Sequence, residues 1–171
     1  MLTFETINEL TLKVTCTGND VLFTKAGAFI AGENAGGKNY RFEKVLFGPQ
    51  SNLGQAVLNS LARRVTKENL PLMKVNLNGD SVTYYANYGQ HVVVYHLEPG
   101  ETISVESENI LAFSQDCDYS VRFIGVGVLS QKGLATSTLT GRGKDAYVAV
   151  LSDGNPIVLS NVYSRDTIAV D

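Results

Sequence analysis

A short phrase occurs twice in this chain: Glu101-Thr-Ile-Ser-Val-Glu106 returns as Asp166-Thr-Ile-Ala-Val-Asp171. Thr, Ile and Val are kept, and so are both flanking acids. An alternating phrase of this length fits one β-strand, and its recurrence predicts a scaffold assembled from similar strand–turn–strand units rather than one built around a catalytic centre. Residues 20–31 carry the same pattern of acid, aliphatic strand, polar turn and closing Ala31 as residues 101–112, with almost no identity. Three units, around 20–31, 101–112 and 166–171, are therefore expected, the last without its return strand. A lone hairpin is marginal in water, so the units must share a core within one domain spanning 1–171.

The rest of the chain has the same texture. It has 16 glycines and no tryptophan, and Val, Ile, Thr and Tyr cluster in short runs between turn residues. Leu10 to Thr17 places Leu10, Leu12, Val14 and Cys16 on one face and Thr11, Lys13, Thr15 and Thr17 on the other. Gly18-Asn19-Asp20 then turns the chain into Val21 to Thr24, which predicts a hairpin with one wet face. Further strands are expected at Tyr40 to Phe47, Leu72 to Leu77, Ser81 to Ala86, His91 to Leu97, Thr102 to Val105, Ile110 to Phe113, Tyr119 to Leu129, Leu134 to Leu139, Asp145 to Leu151 and Ile157 to Leu159. One segment departs from this. Ser51 to Lys67 sets Leu53, Val57, Leu61 and Val65 at four-residue steps between Pro49 and Pro71, which predicts an amphipathic helix covering a sheet face or plugging one end of a sandwich.

Composition narrows the functional classes. Fourteen basic against 17 acidic residues give a net charge of −3 and a pI near 5.4, with the basic residues scattered, so nucleic acid is not expected as a partner. No apolar run approaches membrane-spanning length. Met1 to Leu10 carries Glu5 and Glu9 and lacks the basic start and apolar stretch of a secretory or import leader. Cys16 and Cys117 have neither zinc-type spacing nor a redox motif, which predicts free thiols in a reducing, cytoplasmic compartment.

Several residues invite a chemical reading, and each has a structural alternative. His91 and His96 stand five apart, on opposite faces of one strand, and cannot chelate a metal together. Asp116-Cys117-Asp118 reads as a solvated turn, because flanking carboxylates make a thiol a poorer nucleophile. Gly141-Arg-Gly143-Lys144 lies between strands and so reads as a turn rather than a phosphate cradle. Ala35-Gly-Gly-Lys38 reads as a loop. Tyr84, Tyr85, Tyr88 and Tyr95 form the one aromatic concentration, with His96 beside it. No catalytic, cofactor-binding or metal-binding residue is expected from these patterns.

Arg63-Arg-Val-Thr-Lys-Glu-Asn-Leu-Pro-Leu-Met73, Leu97 to Glu106 with Ile110-Leu-Ala-Phe113, and Leu139-Thr-Gly-Arg-Gly-Lys144 together resemble the altered inheritance of mitochondria family of the TRAP-like type. The closing Asp166-Thr-Ile-Ala-Val-Asp171 is similar to that family's Gly-Glu-x-x-x-Val-Asp phrase, except that Arg165 stands where the family favours glycine and the chain stops at Asp171. The resemblance implies a β-sandwich of repeated units related to the tryptophan RNA-binding attenuation protein, found in bacterial cytoplasm and fungal mitochondria. It implies no activity. The expectation is a mainly β, TRAP-like sandwich of repeated hairpins with one inserted helix at about 51–67. It would act as a non-enzymatic scaffold that forms a homo-oligomer through sheet edges, with a cyclic assembly as one form. The alternative is a small-ligand module with a pocket near Tyr84 to His96.

Overall fold

Thirteen β-strands follow one another in the described part of the chain, and consecutive strands mostly belong to different sheets. The computed structural model describes residues 1–34, 39–45, 72–123 and 135–156. The strands are β1 Leu2–Ile7, β2 Thr11–Cys16, β3 Asn19–Lys25, β4 Phe29–Asn34, β5 Tyr40–Val45, β6 Leu72–Asn78, β7 Ser81–Tyr85, β8 His91–His96, β9 Thr102–Glu106, β10 Ile110–Ser114, β11 Cys117–Phe123, β12 Ala135–Gly141 and β13 Tyr147–Ser152. They form a four-stranded sheet ordered β1-β2-β7-β4, a six-stranded sheet ordered β5-β6-β3-β10-β13-β8 and a three-stranded sheet ordered β11-β12-β9, all antiparallel.

The six-stranded sheet is the middle layer. Leu22 and Phe23 are neighbours on β3 and must face opposite ways; Leu22 joins a core with Leu12, Val14 and Tyr85 of the four-stranded sheet, while Phe23 joins one with Tyr119 and Leu139 of the three-stranded sheet. On β13, Ala149 and Val148 divide between the same two cores. A strand covered on both faces reads as a continuous apolar run, and β10, Ile-Leu-Ala-Phe-Ser, is buried at every position. By contrast β2, in an outer layer, alternates: Leu12, Val14 and Cys16 are buried and Thr11, Lys13 and Thr15 are not.

The all-β expectation holds, and most strand positions fall where the residue patterns put them. The pairing differs from the expected hairpins. Gly18, at φ 87°, reverses the chain after β2, but β2 pairs with β1 and β7 whereas β3 pairs with β6 and β10. The units 20–31 and 101–112 behave alike. In the first, β3 lies in the middle sheet and β4 in the four-stranded sheet; in the second, β9 lies in the three-stranded sheet and β10 in the middle one. Each unit is an arch between layers rather than a hairpin. The expected helix at 51–67, the loop at 35–38, the strand at 157–159 and the unit at 166–171 lie outside the described residues.

Aromatic side chains fasten the layers. Phe113 of β10 stacks on Phe23 at 5.2 Å between centroids and on Tyr119 of β11 at 5.4 Å with only 9° between planes. On the other side Phe29 contacts Tyr40, Phe42 and Tyr85. Gly32 of β4 lets the Tyr40 ring pack close: a Cβ there would lie 2.5 Å from it, so any side chain at this position requires the ring to move.

Candidate functional site

Most of the polar residues singled out in the sequence converge at one end of the molecule. There the connections 97–101, 115–116 and 141–146 carry the chain between the middle and three-stranded sheets. Main-chain bonds interlock them. Gly100 N–H donates to Gly141 O, Gly141 N–H to Glu101 O, Arg142 N–H to Asp116 O and Leu97 N–H to Ala146 O, each at 2.8–2.9 Å. A Cβ on Gly141 would meet Glu98 O at 2.6 Å, and one on Gly143 would overlap the Asp116 carboxylate.

The side chains at this junction bond to backbone and to one another. Asp116 Oδ2 accepts from Asp145 N–H at 3.3 Å, and Asp145 Oδ2 accepts from Leu2 N–H at 3.2 Å, which ties β1 of the outer sheet to the junction. Arg142 donates through Nε to Asp118 at 2.9 Å and through Nη2 to Gln115 O at 3.1 Å. His96 lies 2.7 Å from Lys144 O, and because a carbonyl only accepts, Nε2 carries the proton. Its ring stacks on Tyr147 at 4.6 Å.

Cys117 begins β11, while the turn expected there is confined to Gln115 and Asp116. Burial pushes its thiol up to about 11, Ser114 draws it partly back and Asp116 adds to the rise. Such a thiol is protonated at neutral pH and is a weak nucleophile. Ser114 Oγ accepts from Tyr147 N–H at 3.0 Å and contacts the sulfur at 3.8 Å. The junction thus contains acids, a histidine, an arginine and a thiol, engaged in fixing three loops. Asp145 and Ser114 were not anticipated as members. The only sequence hint was that Asp145 directly follows the glycine-rich Gly141–Lys144 run.

The other candidates separate. His91 is opposite Ser152 and His96 opposite Tyr147 on β13. Among the described residues no three His, Cys, Asp or Glu side chains group closely enough to hold a metal ion. Among the described residues, Tyr84, Tyr85, Tyr88 and Tyr95 differ in surroundings. Tyr85 is fully buried between the sheets, where burial raises its hydroxyl well above the usual tyrosine range. Tyr84 points to the opposite face and donates to Glu33 at 2.8 Å, the bond that chiefly raises its pKa. Tyr88, at φ 46°, is fully exposed on the β7–β8 turn, and Tyr95 is 42% exposed on β8. One open concavity of about 520 Å³ is lined by Thr15, Thr17, Glu33, Asp80 and Val82; a smaller one of about 170 Å³ is lined by Phe29, Phe42 and Met73. Neither includes a residue from Tyr84 to His96. No described helix is long and apolar enough to cross a membrane.

Layered antiparallel sheets joined by arches, with the polar groups at one end bound up in loop contacts, define a mainly β protein whose most distinctive parts are architectural. The profile of the mitochondrial biogenesis AIM24 family matches residues 4–171, and the chain belongs to that family. No curated protein matches it. The fold is similar to the crystal structure of a Streptococcus pyogenes protein, with a TM-score of 0.62 and 16% identity over 90% of this chain and 65% of that one. This chain therefore spans about two thirds of that protein's length.

Proposed function

We propose that this protein is a non-enzymatic scaffold, a single TRAP-like domain of repeated units that assembles with further copies of itself through sheet edges. The observation that carries the reading is the edge strand β8. Sheet edges in soluble proteins are blunted by charge, proline or bulges. β5 carries Arg41, Glu43 and Lys44; β4 carries a bulge between Phe29 and Ala31; β1 carries Glu5, β9 carries Glu106, and β11 carries Asp118. β8, His-Val-Val-Val-Tyr-His, has none of these.

Its first half is sealed. Val92 N–H donates to Glu9 O at 2.8 Å, and Val92 O accepts from Thr6 Oγ1 at 3.2 Å. Main-chain groups alternate in direction along a strand, so those of Val94 and His96 face the same edge, along which no strand pairs among the described residues, beside the half-exposed Tyr95. That arrangement suits an incoming strand. The two free, buried cysteines suit a reducing compartment such as the cytoplasm, and the net charge of −3 does not suit nucleic acid.

Native mass spectrometry of the purified chain tests the proposal, alongside Val94→Pro. Proline removes only an outward N–H and is tolerated at an edge. A discrete oligomer that Val94→Pro dissociates into folded monomers supports the reading. A monomeric wild-type protein overturns it, and a stoichiometric small-molecule adduct on that monomer would favour a ligand-binding module.

A further inference from the structure

The turn between β6 and β7 contains the pair Asn78-Gly79, a combination prone to spontaneous chemistry because glycine puts no side chain in the way of its own amide nitrogen. Gly79 has φ 79° and Asn78 is exposed. Two further asparagines converge there. Gly79 N–H donates to Asn19 Oδ1 at 3.1 Å, Asn78 N–H donates to Asn39 O at 2.7 Å, and Asn39 Nδ2 donates to Asp80 O at 2.9 Å. Asn19 is also the register partner of Asn78 at the end of the β3–β6 ladder.

We propose that Asn78 is a deamidation site whose reaction is held back by Asn19, which occupies the amide of Gly79 that must act as the nucleophile. The Gly79 nitrogen, after giving up its proton, attacks Cγ of Asn78. The N–Cγ bond of a succinimide forms as the Cγ–Nδ2 bond breaks, and ammonia leaves with a proton. Water then adds to one of the two ring carbonyls. Opening at the side-chain carbonyl gives aspartate; opening at the main-chain carbonyl gives isoaspartate. A hydrogen bond to Asn19 disfavours loss of the amide proton, and the bonds at Asn78 and Asp80 hold the peptide away from the rotation that ring closure needs. Isoaspartate adds a methylene to the main chain at a crossover between the middle and four-stranded sheets, and either product places a new carboxylate two residues from Asp80.

Peptide mapping by mass spectrometry, on the full chain aged in warm, mildly alkaline buffer, follows the conversion of amide to acid at Asn78. Conversion is expected to be slow in the native protein and faster in the denatured chain. Asn19→Ala should speed it about fivefold, the worth of one net hydrogen bond. Asn19→Asp keeps the acceptor and should stay near the native rate. Equal rates for native protein and Asn19→Ala, or an Asn19→Asp rate as high as that of Asn19→Ala, would overturn the proposal. If Asn19→Ala does not fold, hydrogen exchange of the Gly79 amide in the wild type decides: protection supports the guard, and exchange at the rate of an open loop refutes it.

Discussion

Phe113→Ala is the sharpest probe of the three-layer arrangement. Phe113 has no exposed surface and lies in the strand at the heart of the middle sheet, stacked on Phe23 within that sheet and on Tyr119 of the three-stranded sheet. Truncating a buried phenylalanine removes its transfer free energy and leaves a cavity, together costing about 3–5 kcal/mol. Each aromatic pair adds roughly 0.5–1.5 kcal/mol beyond area, so a value at the upper end, about 5 kcal/mol, is expected. That is a large fraction of the roughly 5–15 kcal/mol available to a domain, and at about 2–4 °C per kcal/mol it lowers the melting temperature by about 10–20 °C. Urea unfolding followed by circular dichroism measures it, with Phe113→Leu, which keeps an apolar side chain but loses both ring stacks, expected at an intermediate cost of roughly 1–3 kcal/mol. A cost below about 1.5 kcal/mol for Phe113→Ala, with an unchanged urea slope, would refute the idea that this ring joins two layers.

Four further outcomes follow from the same geometry. Gly143→Ala should cost about 1–3 kcal/mol in urea unfolding, because the new methyl displaces the Asp116 carboxylate from Asp145 N–H. Arg142→Ala, at a half-exposed ion pair, should cost no more than about 1 kcal/mol in the same assay. Cys117 titrates higher in the fold than in the unfolded chain, so its contribution to stability is intact below its ordinary value of 9.0 and declines as pH rises towards about 11. The loss amounts to about 2–3 kcal/mol relative to Cys117→Ala over that interval, measured by urea titration at each pH. Gly32→Val should destabilise by at least about 2 kcal/mol through collision with the Tyr40 ring, and pairing it with Tyr40→Ala should recover part of the loss in a double-mutant cycle.

Local features of the chain were legible in its residues. Alternation located β2, and the bounds of β6, β7, β8, β9, β10 and β13 depart by at most two residues from those read from composition and turns. The partners of each strand were not legible. Gly18-Asn19-Asp20 signals a reversal, but a reversal within a sheet and one between sheets use the same glycine with positive φ. What distinguishes them is a contact far along the chain, such as Phe23 with Phe113. The unbroken apolar run of β10 was available as a clue to burial on both faces. β1 was missed because Met1 to Leu10 was considered only as a possible leader, although Leu2 and Phe4 alternate with Thr3 and Glu5. At the loop junction the individual members Asp116, Cys117, Arg142 and His96 were picked out, but their meeting depends on three separate crossovers that no local pattern encodes.

The arches between layers also govern how such a chain comes to be folded. Leu12, Leu22 and Tyr85 share one core although each belongs to a different arm of the weave, and β3 cannot take its place until β6 and β10 have arrived from far downstream. Loop-closure entropy must be met before these pairings yield any return, so folding should be slow, with little lasting structure in early fragments. A nascent chain truncated after β4 would hold strands of two sheets with most of their partners still unmade. During synthesis β3 therefore waits for β6 and β10, and its half-made edges are the state most exposed to wrong partners.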